Sequence, residues 1–229
     1  MNTVRIWDLP TRVFHWALVA AVAGLFVTGK TGGDLMAWHG WLGYAVLTLL
    51  LFRLAWGVIG GRWSRFASFM PAPARVLRYL RGQATPRDVA GHNPLGAFSV
   101  LAMLLLLAAQ VGSGLLADDD LGFTGPLAGA VSNAAVKTAT RYHRGFGQWL
   151  LIALVALHVL SIVLYLVRGK NLLWPMFRGD KQLPPDEAAQ VQPSADGAGN
   201  RILALIVLAL AAAAVWWLVT SAPPPSMGF

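Results

Sequence analysis

The stretch HRGFGQWLLIALVALHVLSIVLYLV, running from His143 to Val167, decides how the whole chain is read. Apart from a short polar opening it is apolar up to Arg168, with a second histidine, His158, in its middle. A run of about 18 or more apolar residues reads as a membrane-spanning helix. An ionisable side chain inside such a helix is costly in lipid and is a functional residue by default. His143 and His158 are fifteen residues apart. At 1.5 Å and about 100° per residue this separates them by roughly 22 Å along a helix and by roughly 60° around it. Both imidazoles can therefore look into one interior at two depths.

Working outward, four more apolar segments accompany this one, over about residues 11–28, 39–59, 95–116 and 202–220. None alternates with a period of two, so helices fit and a membrane barrel does not. The composition agrees: 56% of the 229 residues are hydrophobic and 12% are charged, about half the charge of an ordinary soluble domain. The fold class expected is an all-α integral membrane protein. Between the second and third segments, residues 71–93 carry Arg75, Arg78, Arg81 and Arg87 among Val76, Leu77, Tyr79 and Leu80, the pattern of a short amphipathic helix on the membrane surface. Residues 182–201, rich in Pro, Ala and Gly, read as a flexible linker to a fifth helix over 202–220, with a short tail over 221–229.

The formal net charge of +8 would suggest nucleic acid in a soluble protein. Here the basic residues sit in the connections, with no stripe interleaved with aromatics, so the expectation is no nucleic acid and contact with anionic membrane lipid instead. Five crossings put Arg5, Arg12, Arg62, Arg65, Arg75, Arg78, Arg81, Arg87, Arg168, Lys170, Arg178, Lys181 and Arg201 on one side. Lys30, Lys137, Arg141 and Arg144 fall on the other, with the acidic run Asp118-Asp119-Asp120. The positive-inside rule then places the N-terminus in the cytoplasm and the C-terminus outside. The first apolar run shows no small-residue cleavage site of a signal peptide. There are no cysteines, which excludes disulfides, iron–sulfur clusters and a covalently attached c-type haem.

Depth sorts the histidines. His39 opens the second segment and His143 the fourth, both on the outer side; His15 lies near the cytoplasmic start of the first, level with His158. The pairs His39/His143 and His15/His158 result, and two imidazoles on facing helices make a bis-axial clamp for haem iron. Gly24, Gly40, Gly43, Gly112, Gly114, Gly145 and Gly147 offer room for a flat macrocycle, or else for close helix packing. Arg53, fourteen residues beyond His39, falls at the level of the inner pair. It suits a haem propionate, or else snorkels to the interface. Arg144 or Arg141 is the corresponding candidate outside, or an interfacial charge. His92 has no partner at its depth and reads as a loop histidine or a group near a propionate.

The opening Arg5-Ile6-Trp7-Asp8-Leu9-Pro10-Thr11-Arg12-Val13-Phe14-His15-Trp16 resembles the start of the bacterial cytochrome b-561 family, whose superfamily includes the b-type cytochrome subunits of nickel–iron hydrogenases. His39-Gly40-Trp41-Leu42-Gly43-Tyr44, Leu51-Phe52-Arg53-Leu54-Ala55-Trp56-Gly57, Gly91-His92-Asn93-Pro94, the two histidines of the fourth segment and Asn171-Leu172-Leu173-Trp174-Pro175-Met176 match as well. The similarity spans about residues 4–181. It implies a four-helix transmembrane bundle over 1–181 holding two noncovalent haems b, with axial ligands at the positions of His15, His39, His143 and His158. The fifth helix, with Trp216-Trp217, lies outside this shared core.

The function expected is electron transfer between the quinone pool and a periplasmic redox partner such as a c-type cytochrome. No Ser-His-Asp set, phosphate loop or carboxylate pair in the apolar segments supports a hydrolase or kinase. Three alternatives stay open: a membrane anchor and electron-transfer subunit of a hydrogenase or dehydrogenase, a superoxide:quinone oxidoreductase, and a haem-free transporter or scaffold. Asp118-Asp119-Asp120 is either a steering patch for a basic partner or a solvated loop end.

Overall fold

The computed structural model describes residues 1–120 and 122–223. Strand β1 (Asn2–Arg5) leads into α1 (Leu9–Thr31) and α2 (Met36–Ile59). Three short helices follow, α3 (Phe66–Phe69), α4 (Pro73–Leu80) and α5 (Pro86–Val89), and then the long α6 (Pro94–Leu116). Next come α7 (Asn133–Arg144), α8 (Phe146–Val167), α9 (Leu173–Arg178), β2 (Asp180–Leu183), α10 (Pro185–Ala188) and α11 (Ala198–Thr220). Among the described residues five spans are long and apolar enough to cross a membrane, carried by α1, α2, α6, α7 with α8, and α11. They coincide with the five apolar segments.

The chain divides into two compact units. The first comprises Met1–Trp16, Phe52–Ala102 and Ala156–Val207. Here β1 pairs antiparallel with β2, Asn2 opposite Leu183 and Arg5 opposite Asp180, over a core of Val4, Ile6, Trp7, Trp63, Ala90, Leu183 and Val191.

The start of α1 shows why this unit holds together. The first backbone N–H groups of a helix have no partner within it. The N–H of Leu9 donates to Asp196 at 2.9 Å, and that of Thr11 donates to Asp8 at 2.8 Å; Pro10 has none to satisfy. Two carboxylates at a helix N-terminus also complement its dipole. Asp8 is fully buried and accepts further bonds from Trp56 Nε1, the Gly61 N–H and Ser64 Oγ.

Residues 182–201, expected to be a flexible linker, are instead held down. Trp63 Nε1 donates to the Gln192 carbonyl and the Ser194 N–H to the Arg5 carbonyl. Asp196 pairs with Arg5, Arg12 and Arg201. Composition hides this because most of the partners lie more than a hundred residues away. The expected tail over 221–229 lies outside the described residues from 224 onward.

The surface helix expected within 71–93 resolves into α4 and α5, stitched together by their arginines. Arg75 donates to the Asp88 and His92 carbonyls at 2.7 and 2.8 Å, and Arg78 forks onto the Asp88 carboxylate. The Asp88 bond holds the Arg78 guanidinium above its ordinary pKa, while burial moves that of Arg75 down.

The second unit comprises Ala17–Leu51, Met103–Val155 and Leu208–Phe229. Ala21, Val46, Leu50, Leu106, Leu107, Val111, Leu115 and Leu151 form its core, and Leu218 of α11 packs against them. One sequence expectation changes here. His143 does not open α8 but lies in the last turn of α7, because the helix breaks at Gly145 (φ −108°, ψ −108°). Gln110 Nε2 donates to the His143 carbonyl at 2.8 Å and so satisfies an acceptor of the kind left open at a helix end.

Candidate functional site

Each unit contains one of the two histidine pairs. In the second unit the rings of His39 and His143 face each other, centroids 6.1 Å apart and planes at 87°. A metal–imidazole bond of about 2.0–2.1 Å places the centroids of two rings sharing one metal from opposite sides roughly 6 Å apart. The separation therefore fits one iron between them.

The hydrogen bonds fix which nitrogen of each ring is free. His39 Nδ1 lies 3.1 Å from the Leu25 carbonyl oxygen, and His143 Nδ1 lies 2.8 Å from that of Gln110. A carbonyl carries no hydrogen, so Nδ1 is the donor in both. The neutral ring then keeps its lone pair on Nε2, which is the arrangement of a metal-ligating histidine.

These rings line a cavity of about 830 Å³, within the range of small-molecule and cofactor sites. Its wall includes Val46, Val111, Leu115 and Leu151 from the apolar core, with Arg144 at its polar edge. Arg144 is thereby placed where a cofactor carboxylate could meet it, whereas Arg141 does not line the cavity.

The glycines divide between the two roles weighed for them. Gly43 fronts the cavity with nothing within 4 Å of where a Cβ would be. Gly112 has the same open space but is not part of the wall. Gly40 sits against Phe123, and a Cβ on Gly114 would press on His143. Gly24 packs against Leu42, Gly147 against Gln110 and Tyr142, and Gly145 lies at the helix break.

In the first unit His15 and His158 are near enough to act on each other electrostatically. His15 Nδ1 is buried and has no hydrogen-bond partner among the described residues. Arg53 does not snorkel. It is 3% exposed, its guanidinium 4.7 Å over the Phe66 ring and 5.9 Å over that of Phe69. Its Nη1 also lacks a partner among the described residues. His92, set aside as a residue without a partner, belongs to this cluster. Its ring lies between Trp7 and Phe69, 4.7 Å from each, and Arg53, His158 and His15 all act on it electrostatically. His92 Nδ1 is a third buried nitrogen without a partner among the described residues. Such groups are rare in a folded chain and call for a ligand. Two unmet nitrogens around Phe69, one on a permanent cation, suit a carboxylate.

Beside this cluster Tyr79 and Tyr165 share a hydrogen bond of 2.7 Å, and Asn93 Nδ2 donates to Tyr165 at 3.0 Å. Burial, reinforced by the Tyr165 bond, pushes the Tyr79 phenol up to about 12. Sequence reasoning overlooked Asp8, Gln110 and the hydroxyls of Thr28 and Ser113. The last two had a readable signal, since each is followed directly by a glycine, Thr28-Gly29 and Ser113-Gly114.

Comparison with known proteins adds three likenesses. The family model described as prokaryotic cytochrome b561 matches residues 6–179. The probable Ni/Fe-hydrogenase B-type cytochrome subunit of Azotobacter vinelandii is 25% identical over 225 residues, covering 79% of this chain and 91% of that protein. The probable Ni/Fe-hydrogenase B-type cytochrome subunit of Bradyrhizobium diazoefficiens is 23% identical, covering 79% and 86%. No solved structure matches.

Proposed function

The chain belongs to the prokaryotic cytochrome b561 family, a membrane b-type cytochrome of electron transfer, and from that premise we propose that it holds two haems b and passes electrons between the quinone pool and a redox partner in the periplasm. His39 and His143 would hold the iron of one haem, and His15 and His158 that of the other. The observation that carries this reading is the facing pair His39/His143 at 6.1 Å, both rings anchored through Nδ1 on backbone carbonyls. The bound haems supply reversible one-electron chemistry at iron.

The chain supplies the rest. Four imidazoles would bind the two irons. Apolar walls exclude water and keep the local dielectric low. Arg53 and His92 would meet a haem carboxylate with their unmet nitrogens in the first unit, and Arg144 would do so from the lining of the cavity in the second. The excess of arginine and lysine in the connections after α2 and α8 supports an inner-membrane orientation with those connections in the cytoplasm.

The test is a dithionite-reduced minus air-oxidised spectrum of the purified full chain, with haem quantified against protein. Two noncovalent haems per chain are expected, and a colourless protein would falsify the reading. The relatives named as hydrogenase cytochrome subunits favour a second reading, in which the periplasmic partner is a hydrogenase and this chain is its membrane anchor. Affinity purification from the native membrane separates the two. A nickel-containing subunit in stoichiometric yield supports the anchor, and a c-type cytochrome supports the relay.

A further inference from the structure

The two rings in the second unit rest on the preceding long helix in one and the same register. On α1 the carbonyl of Leu25 takes the His39 Nδ1–H. Three residues on, the Thr28 hydroxyl oxygen lies 3.2 Å from that nitrogen. Four residues on, Gly29 leaves the space the imidazole fills, for a Cβ there would stand 3.0 Å from His39 Cε1. On α6 the same three parts recur. The Gln110 carbonyl takes the His143 Nδ1–H, Ser113 Oγ lies 3.4 Å away, and a Cβ on Gly114 would stand 2.8 Å from His143 Cε1.

Residues i, i+3 and i+4 share one face of a helix, so carbonyl, hydroxyl and glycine form a single seat. Loop length does not dictate it: His39 follows Leu25 by fourteen residues and His143 follows Gln110 by thirty-three.

The hydroxyls complete the seat. Each has one hydrogen to donate. That of Thr28 goes to the Gly24 carbonyl at 2.8 Å and that of Ser113 to the Gln110 carbonyl at 2.9 Å. The oxygens are then left to accept, so each Nδ1–H faces two acceptors, and the opposite tautomer would set a lone pair against both. His15 has no such seat, since its Nδ1 is without a partner among the described residues.

We propose that Thr28-Gly29 and Ser113-Gly114 are paired positioning residues that fix the tautomer and tilt of His39 and His143, and so set haem retention and potential at that site alone. This rests on the reading that these two histidines ligate a haem. Hydrogen bonding at the far nitrogen strengthens an imidazole as a ligand, and loss of such a partner typically weakens metal binding about 10–100-fold.

The test uses full-length protein in detergent, with haem content measured per chain and both haems titrated by redox potentiometry. In the double variant Thr28→Val/Ser113→Ala the haem of the His39/His143 site is expected to be retained about tenfold less well. Its potential moves upward, because a weaker imidazole donor favours the ferrous state. The other haem, unchanged, reports that the protein has folded. Thr28→Ser keeps the wild-type potential. Gly114→Ala, which drives a methyl group into the ring, empties the site. Unchanged potential and occupancy in the double variant overturn the proposal, as does an equal shift of both haems. A wild-type protein lacking the second haem overturns the underlying reading before any variant is compared.

Discussion

The two units hold their histidines in opposite ways. In the second, both rings are anchored on backbone carbonyls, and the cavity before them has an apolar wall and a charged one that includes Arg144, Asp34, Asp118 and Asp119. In the first, His15, Arg53 and His92 each keep a buried nitrogen without a partner among the described residues, and Arg53 feels the well-bonded carboxylate of Asp8. On the proposed reading, one site is shaped by the chain itself, and the other would be completed by what it binds. A ligand entering the second finds its contacts preorganised, whereas in the first it must bring order with it.

The largest test of this contrast removes a ligand from each side. His143→Ala should abolish one haem and His158→Ala the other, each sparing most of its counterpart, as read from haem stoichiometry and the reduced spectrum. Loss of both haems from either change would dissolve the contrast.

Next in size is the carboxylate beneath the first unit. Asp8→Ala strands the Thr11 and Gly61 N–H groups and Trp56 Nε1 together, while Ser64 Oγ keeps the Thr11 hydroxyl. Since a buried donor left unmet costs about 1–3 kcal/mol, thermal unfolding should start several degrees lower even without haem.

Arg53→Leu keeps the apolar volume but removes the unmet donor. Retention of the first unit's haem is expected to fall about tenfold and its potential to move downward, because a lost positive charge favours the ferric state. The haem of the second unit serves as the control.

The smallest effect concerns pH. The Tyr79 phenol titrates higher in the folded chain, at about 12, than the ordinary value near 10. Its contribution to stability is therefore complete below about pH 10 and fades as pH rises toward 12. Unfolding midpoints measured across that window should fall less steeply in Tyr79→Phe than in the wild type.

Hydropathy alone located the five spans, and depth counting along them matched His39 with His143. Depth could not foresee the break at Gly145, because a glycine inside an apolar run signals close packing as often as a kink. It also passed over His92. That residue joins the first unit through the rings of Trp7 and Phe69, which belong to parts of the chain that no local pattern connects. Thr28 and Ser113 were hidden for another reason. A hydroxyl in a membrane helix commonly bonds its own backbone, as both of these do, and only the ring lying beside it reveals a second task. The tie of residues 190–196 to β1 and the start of α1 failed to show because proline and alanine content describes a free chain and says nothing about what it meets.

Asp196 carries a consequence for how the protein is made. Its carboxylate supplies the hydrogen bond that completes the first turn of α1 at Leu9, and it binds Arg5 and Arg12 on either side. A ribosome adding about 5–20 residues per second delivers it roughly ten to forty seconds after Leu9 has been synthesised. Until Asp180 and then Asp196 arrive, Arg5 and Arg12 lack the carboxylates they bind in the folded chain. The closing clasp of the first helix thus emerges long after the helix it completes, and this end of the protein is finished in two separate stages.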